Sequence, residues 1–143
     1  MKPKLYIAGP LFSSAEKSFN REVKTVLSRF FSVYLPQDDG ELLVDLVAAG
    51  HDVDTAMNRV FECDLEAIRN SDVLLIILDG RSPDEGACFE LGYAYSLNKL
   101  CIGLQTDVRR LLTIGNNPMI VGAITQTFVD IAELVRWATQ YPR

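Results

Sequence analysis

The run Val73-Leu74-Leu75-Ile76-Ile77-Leu78 constrains the fold most, because six apolar residues in a row leave no polar face for solvent. A segment of that length and near-continuous apolarity fits a strand buried on both faces of a parallel sheet. Asp79-Gly80-Arg81-Ser82-Pro83-Asp84 follows at once. Ligands of open α/β sheets bind just beyond the carboxyl ends of such strands, so this acidic turn is expected at the mouth of a site.

The next residues predict a helix. Ser82-Pro83-Asp84-Glu85 fits a capping box with Ser82 as N-cap and Pro83 at the first helical position, and Asp84 is an alternative cap. Ala87, Glu90, Leu91 and Ala94 then fall at i, i+3, i+4 and i+7, which puts Glu90 on the stripe that faces the sheet. Gly86, Ala87, Gly92 and Ala94 keep this helix slim, although a mid-helix glycine costs roughly 1 kcal/mol against alanine. Close packing against backbone or a ligand would offset that cost.

Around this centre the chain alternates strand and helix patterns. Residues 5–8 predict a first strand ended by Gly9-Pro10, residues 14–31 a helix, and residues 32–35 a short strand. Residues 36–51 form the longest irregular or partly helical stretch, of the kind that often serves as a binding loop. Residues 52–70 predict a second long helix, capped by Asp52 or Asp54, with Val60, Phe61, Asp64, Leu65 and Ile68 on one side. Residues 100–104 predict a strand, 118–124 contain a last short strand, and 129–141 form a closing amphipathic helix. Such alternation implies an α/β fold with a doubly wound parallel sheet and right-handed crossovers. The 143 residues suffice for a single domain over 1–143 that buries about 70% of its unfolded surface.

Charge and composition narrow the function. The net charge of -5 supplies no basic stripe for nucleic acid phosphates, and Arg109-Arg110 is only a local pair. No apolar run reaches the roughly 18 residues of a membrane span, and Met1-Lys2-Pro3-Lys4 shows no signal-peptide pattern, so a cytoplasmic protein is expected. Cys63, Cys88 and Cys101 sit in apolar contexts as expected reduced thiols, and with His51 as the lone histidine no zinc-type cluster forms. Neither a serine triad nor a phosphate-binding glycine loop is present. What remains is carboxylate chemistry at Asp64, Asp79, Asp84 and Glu90, in which one carboxylate attacks an anomeric carbon and a second carboxyl group handles the leaving group's proton.

Several segments in this order resemble the nucleoside 2-deoxyribosyltransferase family. They are Tyr6-Ile7-Ala8-Gly9-Pro10, Asp64-Leu65 with Ile68 and Ser71-Asp72, Asp79-Gly80 with Asp84-Glu85-Gly86, Phe89-Glu90-Leu91-Gly92-Tyr93-Ala94, and Asn117-Pro118-Met119. The resemblance implies a flavodoxin-like fold, no metal or organic cofactor, small-molecule nucleoside and nucleobase substrates, and a homo-oligomer with sites shared between subunits. By the same resemblance Glu90 would be the nucleophile that captures 2-deoxyribose, Asp84 and Asp64 would contact the base and move its proton, and Tyr6 would orient Glu90. Asn117, from a neighbouring subunit, would hold the 5'-hydroxyl with Met119 beside it, and Gly9, Phe12, Gln37 and Asp79 would lie on the substrate side.

Each role has a plainer competitor: an exposed helix residue for Glu90 or Asp64, a cap for Asp84, core packing for Tyr6, and turn chemistry for Asp79 and Asn117. Two other functions compete as well. A 2-deoxynucleoside 5'-monophosphate N-glycosidase would need phosphate donors, yet the first loop, Gly9-Pro10-Leu11-Phe12-Ser13-Ser14, has no arginine. A nucleoside-binding module without turnover would not need the full set of carboxylates.

Overall fold

The computed structural model describes residues 1–110 and 112–142. In chain order, β1 (Lys4–Ala8) leads to α1 (Ser14–Leu27) and β2 (Ser32–Tyr34). Two short helices follow, α2 (Pro36–Asp39) and α3 (Leu43–Ala48), and then the long α4 (Val53–Arg69). The second half runs β3 (Val73–Ile77), α5 (Glu85–Ser96), β4 (Leu100–Leu104), α6 (Pro118–Ala123), β5 (Gln126–Phe128) and α7 (Ile131–Gln140).

The five strands form one parallel sheet in the order β2-β1-β3-β4-β5, the doubly wound arrangement expected from the alternation. All five residues of β3 are buried at the centre, as its apolar run requires. Alternation along the strands then splits the core in two. Leu5, Ile7, Leu75, Ile77, Ile102 and Leu104 face α1 and α7, while Tyr6, Ala8, Leu74, Ile76 and Cys101 face α4 and α5. Helices therefore cover both faces in three layers. Among the described residues, no helix is long and apolar enough to cross a membrane.

Two local expectations need correction, and the partly helical stretch 36–51 gains definite bounds. Residues 118–123 are helical, because the Asn117 side chain accepts a hydrogen bond from the Met119 backbone N–H and Pro118 occupies the first turn; the last strand starts later, at Gln126. The stretch 36–51 holds two short helices joined by a turn at Gly40. Asp84 and not Ser82 caps α5, with its Oδ2 accepting from the Ala87 N–H at 2.9 Å. The slim face of α5 also divides: Ala87 and Ala94 are buried on the sheet, whereas a Cβ at Gly92 would meet nothing within 4 Å.

The order 2-1-3-4-5 reverses direction between β1 and β3. Chains leave those two strands on opposite sides of the sheet, and the crevice between them is where such folds bind ligands. Gly9 ends β1 at this point, so close to β3 that an added Cβ would lie 3.1 Å from the Ile77 Cβ.

Candidate active site

Glu90 stands on α5 three residues after the buried Ala87 and four before the buried Ala94, and its Oε2 is buried, so its side chain is directed inward as the stripe predicts. It lines a cavity of about 380 Å³ whose other walls include Leu43, Val60, Phe61, Phe89 and Asp64. One carboxyl oxygen, Oε2, is buried without a hydrogen-bond partner. Burial pushes the Glu90 carboxyl up to about 8, the negative charges of Asp64 and Asp84 add to the rise, and the Tyr6 hydroxyl opposes it. A carboxyl raised this far in a cleft marks a functional candidate.

Tyr6 reaches this place from the centre of β1. It is fully buried, and its hydroxyl closes no well-aligned hydrogen bond although it lies beside Glu90. Burial and the Glu90 charge both push its ionisation up, so it remains a neutral donor. β1 and β2 pair in register at Tyr6 and Tyr34, and the two rings stack at 5.4 Å and 14°.

Asp64 arrives from the fourth turn of α4. Burial raises its carboxyl to about 6, and the Tyr34 hydroxyl, which donates to Oδ1 at 3.4 Å, holds it down. Asp64 and Glu90 thus come from two helices to one cavity, while Asp84, at the start of α5, lines the larger cavity and acts on Glu90 through its charge. Among the described residues, no three His, Cys, Asp or Glu side chains are disposed to hold a metal ion.

A larger cavity of about 640 Å³ lies on the other side of the start of α5, at the carboxyl ends of β1 and β3. Pro10, Phe12, Asn20, Asp79, Asp84 and Arg109 are among its walls. Phe12 is exposed there and available to a ligand. Asp79 is committed to the protein: its Oδ1 accepts from the backbone N–H groups of Thr106 (2.7 Å) and Asp107 (2.9 Å), and its Oδ2 from the Thr106 hydroxyl (2.5 Å). Asp107 reciprocates by accepting from the Gly80 N–H at 3.1 Å.

Gln37 is likewise occupied. Its Nε2 donates to the Lys17 carbonyl (3.0 Å), its Oε1 accepts from Asn20 (2.9 Å), and Asn20 also donates to the Pro10 carbonyl (2.8 Å). Gln37 and Asn20 therefore hold the first loop in place. Asn117 and Met119 are exposed at the start of α6 and line neither cavity. Within one chain, the fold does not bring them to Glu90.

Three side chains that line these cavities or contact a lining residue escaped the sequence reading. Tyr34 lies in a three-residue strand, too short to display alternation, and only its register with Tyr6 locates it. Asn20 reads as an ordinary polar position of α1, yet it is 2% exposed. Arg109 reads as part of a basic pair, but the fold puts it on the larger cavity, where its guanidinium binds Asp107 at 2.5 Å.

The chain is 29% identical over 101 residues to an uncharacterised protein of Ureaplasma parvum, across 68% of this chain and 63% of that protein's length. The fold matches a conserved protein of Enterococcus faecalis (TM-score 0.80, 25% identity, 98% of this chain and 99% of that one). It also matches a 2-deoxyribosyltransferase of Bacillus psychrosaccharolyticus (TM-score 0.76, 25% identity, 92% and 90%). The family model for nucleoside 2-deoxyribosyltransferases covers residues 5–134, from the strand bearing Tyr6 to the last helix, and the chain belongs to that family.

Proposed function

We propose that this protein exchanges nucleobases on 2-deoxyribose through a covalent intermediate on Glu90. What carries the proposal is the setting of that carboxyl: inward on α5, at an apolar cavity, beside Asp64 and backed by the Tyr6 hydroxyl. A nucleophile at an anomeric carbon requires such a carboxylate, shielded from water and close to a second carboxyl group.

In the first displacement the ionised Glu90 attacks C1' as the bond to the departing base breaks. The base leaves with that electron pair and takes a proton from Asp64 or Asp84. In the second, the acceptor base returns a proton to that carboxylate and attacks C1', and Glu90 leaves as a carboxylate. Two inversions give net retention. The Tyr6 hydroxyl, beside Glu90 and without another partner, is placed to donate to it and orient it. Phe12 offers a face for a base, and Gly9, Gln37 and Asp79 act indirectly by shaping the loops around the cavity. Asn117 and Met119 serve a neighbouring subunit's site, which fits their exposure and calls for a homo-oligomer.

The larger cavity is acidic, which disfavours a phosphorylated substrate there. Glu16, Asp79, Asp84, Glu85 and Asp107 line it, and its Arg109 is already paired. A 5'-phosphate would meet uncompensated negative charge there, whereas a 5'-hydroxyl would not.

The test is exchange between deoxyinosine or thymidine and free adenine or cytosine, followed chromatographically. Wild type is expected to form the new deoxynucleoside, Glu90→Ala to form none, and a 2-deoxy-2-fluoroarabinosyl nucleoside to label Glu90 in a peptide map. Efficient hydrolysis of deoxynucleoside 5'-monophosphates without any exchanged product would replace the transferase with the N-glycosidase. Binding of nucleosides without turnover would leave a binding module.

A further inference from the structure

Tyr34 is the residue that touches both halves of the candidate site. Its hydroxyl lies 3.4 Å from Asp64 Oδ1 and 3.4 Å from Cys63 Sγ. A hydroxyl has one proton to give, and a carboxylate accepts it far better than a thiol, so Tyr34 donates to Asp64 and can accept from Cys63. The ring, meanwhile, stacks on Tyr6, the donor beside Glu90.

The surroundings keep this contact clear. The turn at Gly40 passes over the pair so closely that a Cβ there would lie 2.9 Å from the Tyr34 hydroxyl and 3.3 Å from Asp64 Oδ1. The groups facing Asp64 are Tyr34 of β2, Tyr6 of β1, Cys63 of its own helix and Glu90 of α5, with Asp84 at the start of α5 acting on Glu90.

We propose that Tyr34 is a positioning residue for the exchange reaction, anchoring the Asp64 carboxylate through its hydroxyl while its ring supports Tyr6. The assignment rests on the transferase proposal, in which Asp64 handles the proton of the base. Burial drives Asp64 toward its neutral form, and Tyr34 opposes it. Removing the hydroxyl therefore favours the protonated Asp64 and moves its titration to higher pH. Asp64 loses its proton before Glu90 and its charge then raises Glu90, so the first proton lost from the two carboxyls also leaves at higher pH.

Tyr34→Phe keeps the ring and the stack and deletes only the donor. Two measurements on the full chain decide the matter. Carbon NMR of the Asp64 carboxyl follows its titration directly, and kcat/KM for base exchange is recorded across pH 4.5–9. In Tyr34→Phe the Asp64 titration and the acidic limb of kcat/KM are both expected to move up by about 0.5 pH unit or more. In an Asp64→Asn background the same substitution is expected to leave the residual profile where it was.

An unmoved Asp64 titration, or a rate reduced equally at every pH, would overturn the assignment and leave Tyr34 a packing residue. If wild type exchanges no bases the transferase proposal fails separately, and the NMR titration still decides whether Tyr34 acts on Asp64. Should Tyr34→Phe not fold, Tyr34→Leu, which also lacks the donor, takes its place in the titration with the same expected direction.

Discussion

At the scale of single residues, burying Glu90 affects activity and stability differently. In the proposed exchange Glu90 must be ionised while Asp64 still holds a proton, so kcat/KM is expected to be bell-shaped, rising through about 6 and falling above about 8. Stability varies in one direction only. The ordinary value is 4.5, so the folded chain holds the Glu90 proton more tightly than the unfolded chain does. That contribution is complete below about 4.5 and is lost as pH rises through about 8. Asp64, raised from 3.8 to about 6, acts in the same direction over a lower range. Glu90→Gln removes the burden of a buried charge, and thermal melts are expected to show it gaining about 1–3 kcal/mol on wild type between pH 5 and pH 8.5. Parallel melting curves for the two proteins would contradict this. Gly40 makes a second case, based on space alone, since its φ of -92° suits any residue. A Cβ would lie 2.7 Å from the Pro36 carbonyl oxygen as well as against Tyr34. Gly40→Ala is therefore expected to cost about 1–3 kcal/mol in a denaturant titration and to slow exchange by displacing Asp64.

At the scale of elements, the start of α5 combines a cap with a candidate proton carrier. Asp84 satisfies the Ala87 N–H and also lies close enough to raise Glu90. Substitution can separate the two jobs, because asparagine caps a helix about as well as aspartate and cannot exchange a proton at neutral pH. Asp84→Asn is expected to keep stability within about 0.5 kcal/mol, whereas Asp84→Ala loses about 1 kcal/mol. If Asp84 moves the proton, Asp84→Asn slows exchange by about 100-fold or more. A wild-type rate in Asp84→Asn would leave the role to Asp64 and make Asp84 a cap alone. The element next to it, residues 105–109, depends on Asp79 in the same way, since three of its polar groups end on that carboxylate.

At the scale of the whole molecule, several of the strongly exposed apolar residues fall within the stretch 108–121 that holds Asn117. Val108 is 89% exposed, Ile114 98% and Met119 80%, with Val121 nearby. Such a group beside Asn117 favours burial against a second copy. Light scattering is expected to give a mass that is a multiple of 16.0 kDa. Ile114→Asp is expected to lower that mass and to reduce exchange, although Ile114 lines neither cavity. A monomeric wild type with full activity would show that the site is complete within one chain and that Asn117 has no substrate to hold.

Period and sign were legible in the sequence because they are local. The apolar run of β3, the 3.6-residue stripe on α5 and the cap-and-proline signals each depend on residues a few positions apart, and the inward Glu90 follows from them. The strand expected at 118–124 failed for the same reason, since β-branched residues and a cap gave competing local signals and the cap prevailed. Contacts across the sheet were not legible. Tyr34 meets Tyr6 and Asp64 because β1 and β2 pair in one register and α4 packs above them, and Gln37 is occupied because α1 brings Asn20 to it. How far a carboxyl is desolvated depends likewise on every neighbour that excludes water, from Leu43 to Phe89. The sequence determined which side chains turn inward; tertiary packing alone decided which of them share a dry space, and so how strongly each holds its proton.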